Sequence, residues 1–167
     1  MTRSEKLSNE IYRSIFGDPW HGASAKEILA GISAEEAYQR AASSIHNIIE
    51  LTLHLTAWTE ETLSRFDGNF PSEPKMGDWP APGIISEVYW ESVKQSLFEA
   101  TDKLISAVNK LPEDHLDVMP GAERIRELGT GFTLEELIYG LVQHNAYHMG
   151  QVSLIKKQLT SGNKKGH

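Results

Sequence analysis

Between Asp67 and Gly83 the chain carries Pro71, Pro74, Pro80 and Pro82, four of its seven prolines. Each proline locks φ and removes a backbone donor, so neither a helix nor a central strand survives that density. The segment therefore reads as a long ordered loop, with Phe70, Met76 and Trp79 as its apolar anchors. On both sides of it, apolar residues recur every three or four positions, the helical spacing. No strand-like alternation is long enough to compete, and there is no internal repeat.

The helices can be placed from their punctuation. Leu7, Ile11, Tyr12, Ile15 and Phe16 define a first helix over 3–16, ended by Gly17-Asp18-Pro19. A short helix over 25–30 follows Ser24 as its N-cap and closes at Gly31. Ser33-Ala34-Glu35-Glu36 has the form of a capping box. It opens a stretch running to about Asp67, with a break near Ala42–Ser44. A third long helix spans 84–111 and stops at Pro112. A loose segment, 113–132, holds Pro120, Gly121, Gly129 and Gly131. Thr133-Leu134-Glu135-Glu136 is a second capping box and opens a last helix to about Leu159. The expectation is an all-α four-helix bundle with one short extra helix and the long Pro-rich loop. It forms one domain over 1–160, with 161–167 as a polar, disordered tail.

Composition narrows the function. The 167 residues are 40% hydrophobic and carry a formal charge of −7, an ordinary globular balance. The acidic surplus argues against a bulk nucleic-acid binder, which needs a basic face to displace counterions. It argues equally against a polybasic membrane-surface protein. With no cysteine, disulfides, thiolate nucleophiles and sulfur-ligated metals are excluded. A bound metal would need His, Asp or Glu. The N-terminus lacks an apolar signal region and no segment has the length of a membrane span. The expected setting is a soluble, cytoplasmic one.

The seven histidines carry the sharpest signal. His144 and His148, at i and i+4, lie on one face of the last helix and can present two imidazoles to one point. They fall inside the apolar stripe of Leu137, Leu141, Val152, Ile155 and Leu159. Imidazoles in a bundle core need partners, and either hydrogen bonds or a metal ion would satisfy them. Position 145 is Asn, so the Glu of a zincin motif is missing. The second helical stretch offers a further ligand. His46, Glu50 and His54 form one ridge with Trp58 above it, although that ridge lies roughly opposite Ile48, Leu55, Leu63 and Phe66. Periodicity alone leaves open whether it is buried and which histidine would join. Two nitrogens from one helix and one from another would leave an open metal position, the pattern of a catalytic site. Gln151, at i+3 from His148, is either a partner of that imidazole or a boundary residue. His21, His115 and His167 read as solvent-exposed. The Trp and Tyr residues read as core and loop anchors rather than a ligand cage.

Three stretches resemble the DinB/YfiT-like family of metal-binding bundles. They are Leu51-Thr52-Leu53-His54-Leu55-Thr56-Ala57-Trp58, then Gln143-His144-Asn145-Ala146-Tyr147-His148-Met149-Gly150-Gln151, and Trp20-His21-Gly22 followed by His46, which resembles a subset of the family. The resemblance implies a four-helix bundle holding a divalent metal (Zn, Ni, Mn or Fe) on His54, His144 and His148. It favours His54 over His46. It also implies a homodimer, and in some members a transferase or isomerase that uses a small thiol such as bacillithiol or mycothiol. Glu50, one turn from His54, would then orient that imidazole or act as a base, or else be a surface carboxylate.

Two functions are in competition. The first is a metal-dependent enzyme on a small molecule, a thiol S-transferase or a hydrolase, with no nucleic-acid or membrane partner. The second is a non-catalytic, stress-related binding or dimerisation bundle whose histidines are satisfied by hydrogen bonds.

Overall fold

A computed structural model describes residues 1–41 and 44–163, with side chains to residue 160. Among the described residues there are helices and turns but no strand. Four long helices dominate: α1 (Arg3–Ile15), α4 (Ile48–Phe66), α5 (Glu87–Lys110) and α6 (Leu134–Asn163). Two short ones, α2 (Ala25–Leu29) and α3 (Ala34–Tyr38), lie between α1 and α4. Their starts are chemically marked. Thr2, Ser24, Ser33 and Asn47 each accept from the backbone N–H three residues on, and the Glu at that position returns a bond to the cap's own N–H. Thr133 and Glu136 do the same for α6. Each cap satisfies donors that the first helical turn otherwise leaves bare.

The long helices close a ring in which α1 and α4 each pack against both α5 and α6. Ile48, Leu51, Leu55, Trp90, Leu97 and Val152 belong to one buried cluster. Leu7, Ile11, Leu104, Val108, Leu116 and Ile138 belong to a second. Trp90 is fully buried and its indole N–H donates to the Ile32 carbonyl at 2.8 Å, which fastens the short-helix segment to α5. Arg3 reaches Asp117 at 2.7 Å and also pairs with Glu135, tying α1 to the start of α6.

Several boundaries differ from the sequence reading. The stretch expected to run from Ser33 to about Asp67 with a break near Ala42–Ser44 is indeed two helices, but the first ends early, at Tyr38, and the second begins only at Ile48. Asn47 restarts the backbone: its amide donates to the Tyr38 carbonyl at 3.0 Å while its oxygen caps α4. The short extra helices are therefore two; of the expected break, Ala42 and Ser43 lie outside the described residues. Helix α5 begins at Glu87 rather than Ile84, because Ser86 caps it by accepting from Tyr89 N–H. Helix α6 continues to Asn163, through the first residues of the expected tail; residues 164–167, including His167, lie outside the described residues.

The Pro-rich loop is anchored differently from expectation. Phe70 is 88% exposed and Met76 is exposed too, whereas Pro74 and Pro80 are buried. Trp79 does hold the loop, by ring stacking described below. A further fastening comes from α4. Glu61 and Arg65, at i and i+4, are a buried ion pair. Glu61 Oε1 accepts from Arg65 Nε at 2.9 Å and from the Ser72 backbone N–H at 3.1 Å. Arg65 donates onward to the carbonyls of Leu128 and Gly129. One pair thus holds the Pro-rich loop and the 126–132 segment to the same helix. No helix among the described residues is long and apolar enough to cross a membrane.

Candidate metal centre

Helix α4 is apolar around most of its circumference and is covered by α5, α6 and the Pro-rich loop, so every residue from Ile48 to Ala57 except the half-buried Glu50 is buried. His54 is among them, at 5% exposure. On the ridge that periodicity placed opposite the core, His54 is buried because the loop crosses it at Asp78 and Trp79, while His46 and Glu50 stay half-buried. His144 and His148 project from α6 toward the same point. The three imidazoles each offer one nitrogen, and these atoms lie within 4.8 Å of one another.

The outer nitrogens are held. His54 Nδ1 lies 2.6 Å from the Asp78 carbonyl oxygen, and His148 Nδ1 lies 2.7 Å from Gln151 Oε1. Both partners are acceptors, so each Nδ1 carries the proton and each Nε2 presents a lone pair inward. His54 Nε2 is 3.0 Å from His144 Nε2. Two lone pairs would repel at that distance, so His144 donates Nε2–H to His54. Acting as a ligand would require His144 to shift its proton to Nδ1. The 3.0 Å separation is close to a tetrahedral edge, about 3.3 to 3.4 Å for metal–nitrogen bonds of ~2.0–2.1 Å. The donor set is three imidazoles on two helices, which fits a divalent ion of the zinc, nickel or iron kind with a position to spare.

Burial sets their protonation. It pushes all three imidazoles below the ordinary histidine pKa. His144 is shifted furthest, to about 3, by burial first and then by His148 and His54 facing it. For His54 the Asp78 carbonyl works against the shift, and for His148 the Gln151 oxygen does. All three are neutral near pH 7, so a cation displaces no charge-bearing proton: His54 and His148 turn lone pairs inward, and His144 needs only the tautomer shift.

Trp79 covers the cluster. Its ring stacks on His54 at 3.9 Å on one face and on His46 at 3.7 Å on the other, within 8° and 2° of parallel. Trp58 meets His54 edge-on and donates its indole N–H to Asp78 Oδ1 at 2.7 Å. Two of the four tryptophans therefore line the histidine cluster, contrary to the reading of them as core and loop anchors alone; Trp20 is fully exposed and anchors nothing.

The remaining site residues are placed as follows. His46 is the outer ring of the stack and lies outside the three-imidazole cluster. Glu50 sits in the α4 cap: one oxygen meets Arg40 at 2.7 Å, the other meets Asn47 N–H at 3.1 Å and His46 Nδ1 at 3.3 Å. Gln151 does partner His148. His21 and His115 are exposed. Asp78 had no local sequence signal, since it meets His54 across 24 positions of chain. Glu61 and Arg65 had one, opposite charges at i and i+4 within an apolar helix.

Beside the cluster lies a cavity of about 600 Å³, bordered by His54 and His144 at one end and by Glu61 and Arg65 further along α4. Trp58, Phe132, Leu137 and Leu141 supply much of its wall.

A family model described as the DinB superfamily matches residues 20–152, well over half of the chain and including all three clustered histidines. No curated protein and no solved structure matches the chain.

Proposed function

The chain belongs to the DinB superfamily, and on that basis we propose that it is a metal-dependent enzyme acting on a small molecule, with His54, His144 and His148 as the ligands. The observation that carries this reading is the convergence of three neutral imidazoles, two with their outer nitrogens held by acceptors. A purely hydrogen-bonded histidine network does not need three inward nitrogens around one point. A divalent ion bound there would act as a Lewis acid, lowering the pKa of a thiol or water that reaches it.

The reaction class proposed is transfer to a small thiol. The chain has no cysteine, so a sulfur nucleophile must arrive on a cosubstrate. In that reaction the thiol gives up its proton, its sulfur bonds to an electrophilic carbon, and the leaving group departs with the bonding pair. The chain's own residues position the partners. Asp78 and Gln151 fix the faces of His54 and His148, and Trp79 shields the cluster on the loop side. The cavity bordering His54 and His144 gives a substrate its approach. Glu50 reaches His54 only through His46 and Trp79, which suits a positioning role. The test is a screen of metal-loaded protein with a small thiol and electrophilic acceptors. The reading requires turnover that disappears on chelation and in His144→Ala. Turnover untouched by both would reject it.

A further inference from the structure

The cavity along α4 enters the function proposed above only as an approach, yet its lining also selects what can enter. Besides the neutral imidazoles, six charged side chains border it. The two that are buried, Glu61 and Arg65, are paired with each other at 2.8 Å. Asp78 accepts the Trp58 indole N–H at 2.7 Å, and its side chain is 47% exposed. Glu136 is exposed and accepts the Thr133 N–H in the α6 cap. Arg126 and Glu127 are exposed, adjacent and opposite in sign. The buried part of the lining therefore holds no unpaired charge. A charged group carried in by a ligand would lose water there without gaining a counter-ion. The uncharged walls, in contrast, are fixed in advance. Trp58 is oriented by its bond to Asp78. The Arg124 guanidinium stacks on Phe132, 4.6 Å from the ring centre, and Arg124 itself donates to the Thr130 carbonyl at 3.1 Å. Gly131, at φ +76°, leaves room for that stack, since a Cβ there would lie 3.0 Å from Arg124 Cδ. Two rings held by other side chains are rigid anchors, which a flat ring can meet at little cost in ordering. A volume of about 600 Å³ is that of a small-molecule site.

We propose that this cavity receives an uncharged small molecule with a flat aromatic body, and that Trp58 and Phe132 are the residues that select it. As the identity of the electrophile, this rests on the thiol transfer proposed above. As a binding site it stands on the cavity and does not require a metal at the cluster.

The experiment is calorimetric titration of untagged protein with three probes of one body: naphthalene-2-methanol, naphthalene-2-carboxylate and 2-naphthylmethylamine. Each titration is run on protein as purified and again after chelation, and the probes are ranked after chelation, when no bound ion can hold the carboxylate. The alcohol is expected to bind about tenfold more tightly than either charged probe, the scale of one charge losing part of its hydration. Phe132→Leu keeps an apolar side chain but removes the ring, and should weaken the alcohol about fivefold. Phe70→Leu removes an exposed ring outside the lining and should change nothing. A charged probe that binds chelated protein as tightly as the alcohol would overturn the proposal. So would absence of alcohol binding, a Phe132→Leu affinity equal to wild type, or an equal loss in Phe70→Leu. Should Phe132→Leu fail to fold, the wild-type ranking of the three probes still decides. None of the probes is an electrophile, so failure here leaves the transfer reading standing. Alcohol binding with no turnover in the thiol screen would reject the transfer and keep the cavity's selectivity.

Discussion

At the scale of single residues, a metal ligand is made by what lies behind it. Gln151 holds His148 Nδ1 at 2.7 Å and so keeps Nε2 turned inward. Replacing Gln151 with Leu should weaken metal binding about 10- to 100-fold without removing a ligand. Competition against a chromophoric chelator measures this, and unchanged affinity would show that the glutamine orients nothing. Protonation gives a second prediction. Burial lowers the folded pKa of all three imidazoles below their unfolded value, for His144 to about 3. Below an ordinary histidine pKa of about 6.5 the unfolded chain therefore binds more protons than the folded one. The stabilisation is complete above that pH and is lost as pH falls toward about 3. Urea melts of chelated protein should show stability declining as pH drops from 7 to 5, and His144→Ala should flatten that decline. The sequence made part of this legible. The i, i+4 spacing singled out His144 and His148, and the family resemblance chose His54 over His46. Asp78 stayed hidden because its contact is made by a backbone carbonyl, which no side-chain pattern announces.

At the scale of elements, the site depends on two loops, and one ion pair on α4 holds both. Arg65→Ala would leave Glu61 buried without its cation while releasing the Leu128 and Gly129 carbonyls. Breaking a buried pair from one side costs about 3–5 kcal/mol. Chemical denaturation should register a loss of that order, and a loss below about 1 kcal/mol would mean the pair is solvated and holds nothing. The Pro-rich loop was legible as a loop because proline geometry is local. Its anchors were legible only in part: Trp79 holds the loop as expected, but Phe70 is bare, and that Trp79 is held by two imidazoles could not be read, since stacking partners come from other elements. The same limit blurred the restart at Asn47: a break was legible near Ala42–Ser44, but its position is set by the cap bond to Tyr38, which crosses nine positions of chain. Capping boxes at Ser33 and Thr133, by contrast, are written within four residues and were found where the sequence put them.

At the scale of the whole molecule, the ring of α1, α5, α4 and α6 brings His54 and His144, 90 positions apart in the chain, to one point. Any ion bound there links the two halves of the bundle. A ligand that binds only the folded state stabilises it by about 2.7 kcal/mol at a hundredfold excess over its Kd. Chelation should therefore lower the melting temperature of wild type by several degrees and leave His54→Ala unmoved. The bundle class was legible from spacing and punctuation alone, because each long helix carries its own apolar stripe. The cavity was not, being enclosed by α4, α6 and the 126–132 segment, which share no sequence pattern.

The most direct measurement is metal content by elemental analysis of untagged protein, with wild type beside His54→Ala and His144→Ala. A polyhistidine tag would bind metal itself, so its absence matters. The three-imidazole account predicts about one divalent ion per chain in wild type and a substoichiometric trace in both variants. A wild type that stays empty after reconstitution with zinc, nickel, manganese and iron, or variants that keep their ion, would contradict it. Either result would make these histidines a hydrogen-bonded network within a binding or dimerisation bundle.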